Sequence, residues 1–377
     1  MNKITTKNKT IFERGSIKIE IKSGADHQML DHFKETVLGT PGGLQYKHTQ
    51  IKSKLEKLGK VFFMLLKRKD KILGSIGLAY RQTFSNKESY ASWYIRYFAI
   101  RAPLRAKKYK KNPEKNPSDG SSLFLKLGEK YFNNPNLFEN EESKSPSKSI
   151  IYGYTEKENH RSIAFSEKLG FVPVRIFYTL LFSRLQPKTH SNVRALKTNE
   201  KEDVRNMIRS FYADYSLLSF QSIYFDQRYL VYIEDNKIVA GLQANPDRWE
   251  IHALGGRAGK ILLKLLPLIP GIKKIFKPGA LNFLGIEGVF YLPGYEKCIE
   301  ALLESACHKF NTGLAMIWVD ANSGLLNKLD HNIHYGVLNN LMKRFEAEVR
   351  IKFNGFSEKE IATFYSKPAY ISAIDMT

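Results

Sequence analysis

One carboxylate stands out in this sequence. Glu287 sits alone among glycine and apolar residues in Leu284-Gly285-Ile286-Glu287-Gly288-Val289. Burial would raise the proton affinity of such a group toward that of a general base. Strand alternation leaves open whether it points inward or lies on the surface. A second chemical feature is Gly120-Ser121-Ser122, with Arg101 and Arg105 upstream. Glycine permits close backbone approach, and two hydroxyls at a helix start can donate to phosphate oxygens. The plainer reading of the same residues is a solvated loop and an ordinary Ser-capped helix. The run at 255–260 is not a phosphate loop, because Leu254 and Ile261 stand where that loop needs Gly and Ser or Thr. His331 and His334 lie one helical turn apart with no third ligand in evidence, which argues for a surface helix rather than a metal site.

These residues sit in a chain of 377 residues, a length that predicts two domains. Hydrophobic residues make up 43% and charged residues 25%, an ordinary globular balance. The formal charge of +22 would attract nucleic acid, anionic lipid or a phosphate-bearing cofactor, and it would equally serve solubility alone. No nucleic-acid motif is recognisable and aromatics do not interleave with the basic loop after residue 100, which argues against nucleic acid as the partner. Cys298 and Cys307 form neither a C-x-x-C pair nor a disulfide framework, so they read as reduced thiols. Residues 1–16 lack the apolar core of a secretion signal. The apolar run 261–272 is shorter than the roughly 20 residues needed to span a bilayer. The expected location is the cytoplasm.

Alternation and apolar runs predict strands at 17–21, 61–66, through Tyr80 and at 90–100, then a helix at 121–132. A basic, Pro- and Asn-rich stretch, 101–118, separates the last two. A strand at 150–154, a helix at 160–169 and a strand at 174–182 follow. Residues 186–191 are polar and contain Pro187, which places a linker there and divides the chain into 1–187 and 188–377. The second part predicts a helix at 200–212, a hairpin around Asp235-Asn236, a strand at 281–292 and a helix at 296–310. A strand at 314–319, a helix over 325–345 and strands at 347–353 and 369–374 complete it. The order of elements repeats between the halves without visible sequence identity. The segment 256–277 alternates lysines with Leu, Ile and Phe. It reads as a cover over a substrate site, a contact with an anionic membrane surface or lipid-like substrate, or a helix packed between the halves.

The segment Ile150-Ile151-Tyr152-Gly153-Tyr154, then Asn159, then Ala164-Phe165-Ser166-Glu167-Lys168-Leu169-Gly170-Phe171 resembles the C-terminal part of the GNAT acyltransferase fold. Asn159 suits a helix N-cap, and Gly170 the left-handed stop that returns Phe171 to the core. The resemblance implies an α/β fold with a mixed sheet in each of two tandem GNAT-like domains. It further implies acyl transfer from acetyl-CoA or another acyl-CoA to a small-molecule amine acceptor.

By the same resemblance, CoA pyrophosphate would bind after the fourth strand. Arg101 and Arg105 open a loop like the family's, and Gly120, Ser121 and Ser122 resume it beyond a basic insertion; Asn159 belongs to the same cofactor side. The family places a carboxylate base on the fourth strand and an acid Tyr just before Glu-Lys-Leu-Gly-Phe. Here 90–100 contains no Asp or Glu, and Ser166 replaces the Tyr. Tyr154, with Tyr152, is either a substitute acid or a core tyrosine. The second half supplies Glu287 on the matching strand and Tyr335 as a further candidate acid, but only a short loop, 292–296. The implied division puts CoA on the first half and the acceptor on the second. The alternative is a catalytically degenerate pair that serves as a ligand- or nucleic-acid-binding module.

Overall fold

A computed structural model of the chain describes residues 8–85, 88–100, 120–139, 148–254, 276–277, 280–342 and 344–377. The first half contributes strands β1 (Asn8–Arg14), β2 (Ile17–Ser23), β3 (Leu38–Gly39), β4 (Leu44–His48), β5 (Val61–Arg68), β6 (Lys71–Ser85), β7 (Glu88–Ile100), β8 (Ser149–Glu156) and β9 (Val172–Ser183). Its helices are α1 (His27–Glu35), α2 (Ile51–Leu58), α3 (Gly120–Asn133) and α4 (His160–Lys168). The second half adds β10 (Val193–Ala195), β11 (Tyr229–Glu234), β12 (Lys237–Leu254), β13 (Phe276–Lys277), β14 (Ala280–Tyr291), β15 (Leu314–Asp320) and β16 (Phe345–Asn354). Its helices are α5 (Lys201–Phe211), α6 (Cys298–Lys309), α7 (Gly324–Asn332), α8 (Val337–Leu341), α9 (Glu358–Ser366) and α10 (Ala373–Met376). No helix among the described residues is long and apolar enough to cross a membrane.

Local chemistry explains the elements that frame the site. Asn159 accepts a bond from Ser162 N at 3.2 Å and so caps α4. The helix ends where Gly170 turns left-handed at φ 82°. Gly170 N then reaches Glu167 O at 2.9 Å and Phe171 N reaches Ser166 O at 3.0 Å, a Schellman closure. Asp235 and Asn236, at φ 48° and 61°, make the tight hairpin between β11 and β12.

The strands form one sheet in the order β1-β2-β5-β6-β7-β8-β16-β9-β15-β14-β12-β11-β10. The last strand of each half therefore sits in the other half's territory. β16 lies between β8 and β9, and β9 lies between β16 and β15. β4 also crosses, pairing antiparallel with β12. Residues 186–191 carry no regular element, yet the sheet and one apolar core continue past them; Phe33 and Phe63 share that core with Phe283 and Trp318.

Two expected elements differ. The helix expected over 325–345 is broken into α7 and α8, and β16 begins at Phe345. Gly336 stands at φ 89° in the break, where a β-carbon would lie 2.2 Å from Ser183 O. Ser183 N in turn takes Tyr335 O at 2.7 Å, so pairing with β9 outcompetes helix continuation. The strand expected at 369–374 is a single bridge, Ser216 to Ala369, followed by α10. Its apolar residues are buried by packing between the halves rather than by joining a ladder.

Candidate functional site

β7 and β8 run parallel and paired only over Ala91–Tyr94 and Ser149–Tyr152. β8 stays paired with β16 along its whole length, Ser149–Glu156, while beyond Tyr94 and Tyr152 β7 and β8 part, opening a V. Within the V, β7 bulges: Arg96 pairs with Gly77, the ladder slips, and Tyr97 takes φ 50°. A cavity of about 250 Å³ fills the opening. The splayed strands line it with Arg96, Tyr97, Tyr154 and Glu156, α4 with Phe165 and Ser166, and β4 with Tyr46 and His48. Phe98 stacked on Phe165 at 4.4 Å makes one end apolar.

The opposite end is polar and straps down the chain's last described residues. Arg81 donates twice to Asp375, at 3.1 and 2.6 Å, and Tyr152 donates to the same carboxylate at 3.2 Å. Tyr94 donates to Asp375 O at 2.7 Å, and Arg96 donates to Ile374 O at 2.7 Å and to Thr377 O. Burial pushes the Asp375 carboxyl up, and Arg81 opposes this. Burial also raises Glu156, against the bond it accepts from the Thr40 hydroxyl. Tyr154 is pushed well above the usual tyrosine range by burial, which suits it to donate a hydrogen bond and makes it a poor proton donor. The hydroxyl of Tyr154 and both ring nitrogens of His48 are buried without a hydrogen-bond partner among the described residues, whereas Tyr97 bonds to the Arg96 side chain.

The second half repeats this construction. β14 and β15 pair in parallel over Leu284–Ile286 and Ala315–Ile317, then separate. Here, however, the V is filled, leaving a void of about 20 Å³ beside Tyr212, Tyr215 and residues 369–371. Tyr370 accepts from Gly288 N at 3.1 Å and donates to Glu287 Oε1 at 3.2 Å. Ser372 donates to Glu287 at 2.7 Å, and Ser222 donates to it as well. Glu287 is 2% exposed; burial raises its pKa, while the Ser222 and Ser372 bonds pull it back.

The residues singled out in the sequence therefore fall in different places. Tyr154 and Asn159 line the large cavity. Gly120, Ser121 and Ser122 form the first turn of α3. Glu287 lines the small void and not the large cavity. Tyr335 lines neither, and donates to Asp330 at 3.1 Å. Arg101, Arg105, the basic insertion 107–115 and residues 256–275 lie outside the described residues. The sequence reading missed His48, Arg96, Tyr97, Glu156 and Asp375. Arg96 was visible as the one basic residue in an aromatic strand, but nothing in the local sequence marks the others.

The architecture is the tandem GNAT-type fold, a continuous mixed sheet built from two splayed units. It is shared with Saccharomyces cerevisiae N-myristoyltransferase with bound myristoyl-CoA, at TM-score 0.55, 11% identity, and coverage of 94% of this chain and 88% of that one. A second structure of the yeast enzyme, with myristoyl-CoA and inhibitors, gives TM-score 0.54 at 10% identity over 98% and 88% of the two chains. A GCN5-related N-acetyltransferase from Sphaerobacter thermophilus matches at TM-score 0.40 and 11% identity, over 77% of this chain and 80% of that one, too low to define a common fold. No family model and no curated protein matches the sequence.

Proposed function

We propose that this chain is an acyl-CoA-dependent N-acyltransferase that takes acyl-CoA into the first V and presents an acceptor amine from the side where the halves meet. The observation that carries this reading is the contrast between two equivalent openings. One is a cavity of about 250 Å³ and the other is closed by Tyr370 to about 20 Å³. In the closed V the bulge amide, Gly288 N, donates to the Tyr370 hydroxyl. Its counterpart in the open V is the amide of Tyr97, the group suited to hold a thioester carbonyl oxygen.

Gly120 at the start of α3, with Ser121 and Ser122, supports pyrophosphate binding there, assisted by Arg101 and Arg105. The two units divide at 187/188 and have exchanged their last strands. The acyl group is acetyl or longer, and the apolar Phe98–Phe165 end favours a chain beyond acetyl. Residues 256–277 remain the candidate contact for a lipid-like substrate or anionic membrane surface. The cysteines Cys298 and Cys307 are unbridged, which supports a cytoplasmic location.

Gly153 lines the open V, and a β-carbon there would meet Ile95 at an ordinary 3.5 Å. Gly153→Phe should fill the cavity without displacing the backbone. Calorimetry should find CoA binding weakened at least about tenfold; unchanged affinity would remove the assignment. A silent binding module is the second reading. It is favoured by Ser166, whose hydroxyl donates to Ile163 O in its own helix at 2.8 Å. CoA binding without thiol release from acetyl-CoA across a panel of amines would establish that alternative.

A further inference from the structure

The polar end of the large cavity lies at a seam. β4 leaves the first half to pair with β12 of the second, and His48 stands directly opposite Trp249. His48 is 6% exposed, and neither ring nitrogen has a partner among the described residues. Buried polar groups are normally satisfied, so an imidazole held this way marks a place where a bound molecule supplies the partner. Tyr154 lines the same cavity, and its hydroxyl is in the same condition. The Tyr97 ring meets His48 edge-on at 6.1 Å.

The other bases near the cavity are engaged. Asp375 is held by Arg81 and Tyr152, and Glu156 accepts from Thr40. The charged groups around His48 come from three elements besides its own strand. Lys54 of α2 is paired with Asp247 of β12, Arg96 belongs to β7, and Tyr46 adds a hydroxyl from β4. Burial first, then Lys54 and Arg96, hold the imidazole well below its ordinary value of 6.5, so it is neutral with a ring-nitrogen lone pair free, and a proton gained there is passed on readily.

Resting on the acyltransferase reading above, we infer that the acceptor's amino group docks at this seam and that His48 takes its proton. The amine nitrogen forms the bond to the thioester carbon, and the carbon–sulfur bond breaks with its electron pair leaving on sulfur. The proton lost by nitrogen passes to the imidazole and is then returned to the thiolate. The products are the amide and the CoA thiol, with His48 neutral again. Tyr154 orients the amine by a hydrogen bond and keeps its own proton.

The test measures thiol release from acetyl-CoA and octanoyl-CoA with glycinamide and n-butylamine, in wild type, His48→Gln and His48→Asn. The expected result is a fall in kcat of roughly a hundredfold with KM for acyl-CoA and CoA affinity unchanged. The wild-type rate should decline on the acid side as His48 protonates, and the variants should lack that limb. Variants with wild-type kcat, or with the acid limb intact, would overturn the inference and leave the acyltransferase reading standing. If wild type binds CoA but releases no thiol with any of these amines, that reading fails and the inference fails with it. NMR of histidine-labelled wild type supplies a measurement independent of the variants: a charged His48 imidazole at neutral pH would overturn the proposal.

Discussion

Arg96 and Glu287 hold the same place in two copies of one bulge. Arg96 pairs with Gly77 of β6, and Glu287 with Gln243 of β12. The ladders then slip alike, to Ser75–Ala99 and to Gly241–Phe290. The residue after each turns to positive φ, 50° at Tyr97 and 58° at Gly288. A cation thus stands at the open V and a carboxylate at the closed one. The cation ties down the residues around Asp375, and the carboxylate anchors the Tyr370 and Ser372 side chains that close the second V.

Glu287→Gln separates an anchoring role from a catalytic one. Burial raises the folded-state pKa above 4.5, so the folded protein keeps this proton where the unfolded chain loses it. Its contribution is full below the unfolded value and is lost as pH rises through the folded value. Urea denaturation across that window should show a flatter pH dependence in the Gln variant. Turnover should stay near wild type. A fall of at least about tenfold would instead return Glu287 to the role of base that the sequence suggested.

Arg81→Leu should be severe. The side chains of Arg81 and Asp375 are 2% and 0% exposed, so removing the guanidinium strands a buried carboxylate. The expected cost is roughly 3–5 kcal/mol in chemical denaturation. The double variant Arg81→Leu/Asp375→Leu should recover much of it. A single variant within about 0.5 kcal/mol of wild type, the range of surface changes, would contradict the buried pair.

Lys54 should leave a signature in alkaline solution. Burial brings its pKa down from 10.5 to about 8, against the pull of Asp247. Between those values the unfolded chain binds more protons than the folded one, so this group's contribution to stability rises with pH. Lys54→Met should remove that rise. A wild-type profile that does not differ from the variant's over this window would show that Lys54 titrates normally.

Tyr370→Phe tests the closure of the second V. The change leaves the Gly288 amide without its acceptor and takes one donor from Glu287. A loss of about 1–3 kcal/mol is expected from thermal unfolding. CoA affinity measured by calorimetry should not change, because the proposed cofactor site is the other V. Weakened CoA binding in a folded Tyr370→Phe protein would count against that division.

Much of this protein was legible residue by residue. Asn159, Gly170 and Phe171 build a capped helix and its return to the core from contacts within a few positions, so their pattern can be read locally. The same holds for the Asp235-Asn236 turn and the apolar run that becomes β5. Tertiary structure decided which half each element serves. Periodicity tells a strand which of its faces is buried, but not against which partner. Nothing in the local pattern of Val172–Ser183 or Phe345–Asn354 therefore announces that β9 and β16 change places. The same limit hid the site. Arg81 finds Asp375 across 294 positions, and His48 meets Trp249 only because β4 crosses the seam. Glu287 drew notice through its local setting, yet the segment that folds over it closes the V in which it stands. Chemistry set by contacts within a turn can be read from the chain, whereas chemistry set by long-range packing exists only once the sheet has assembled.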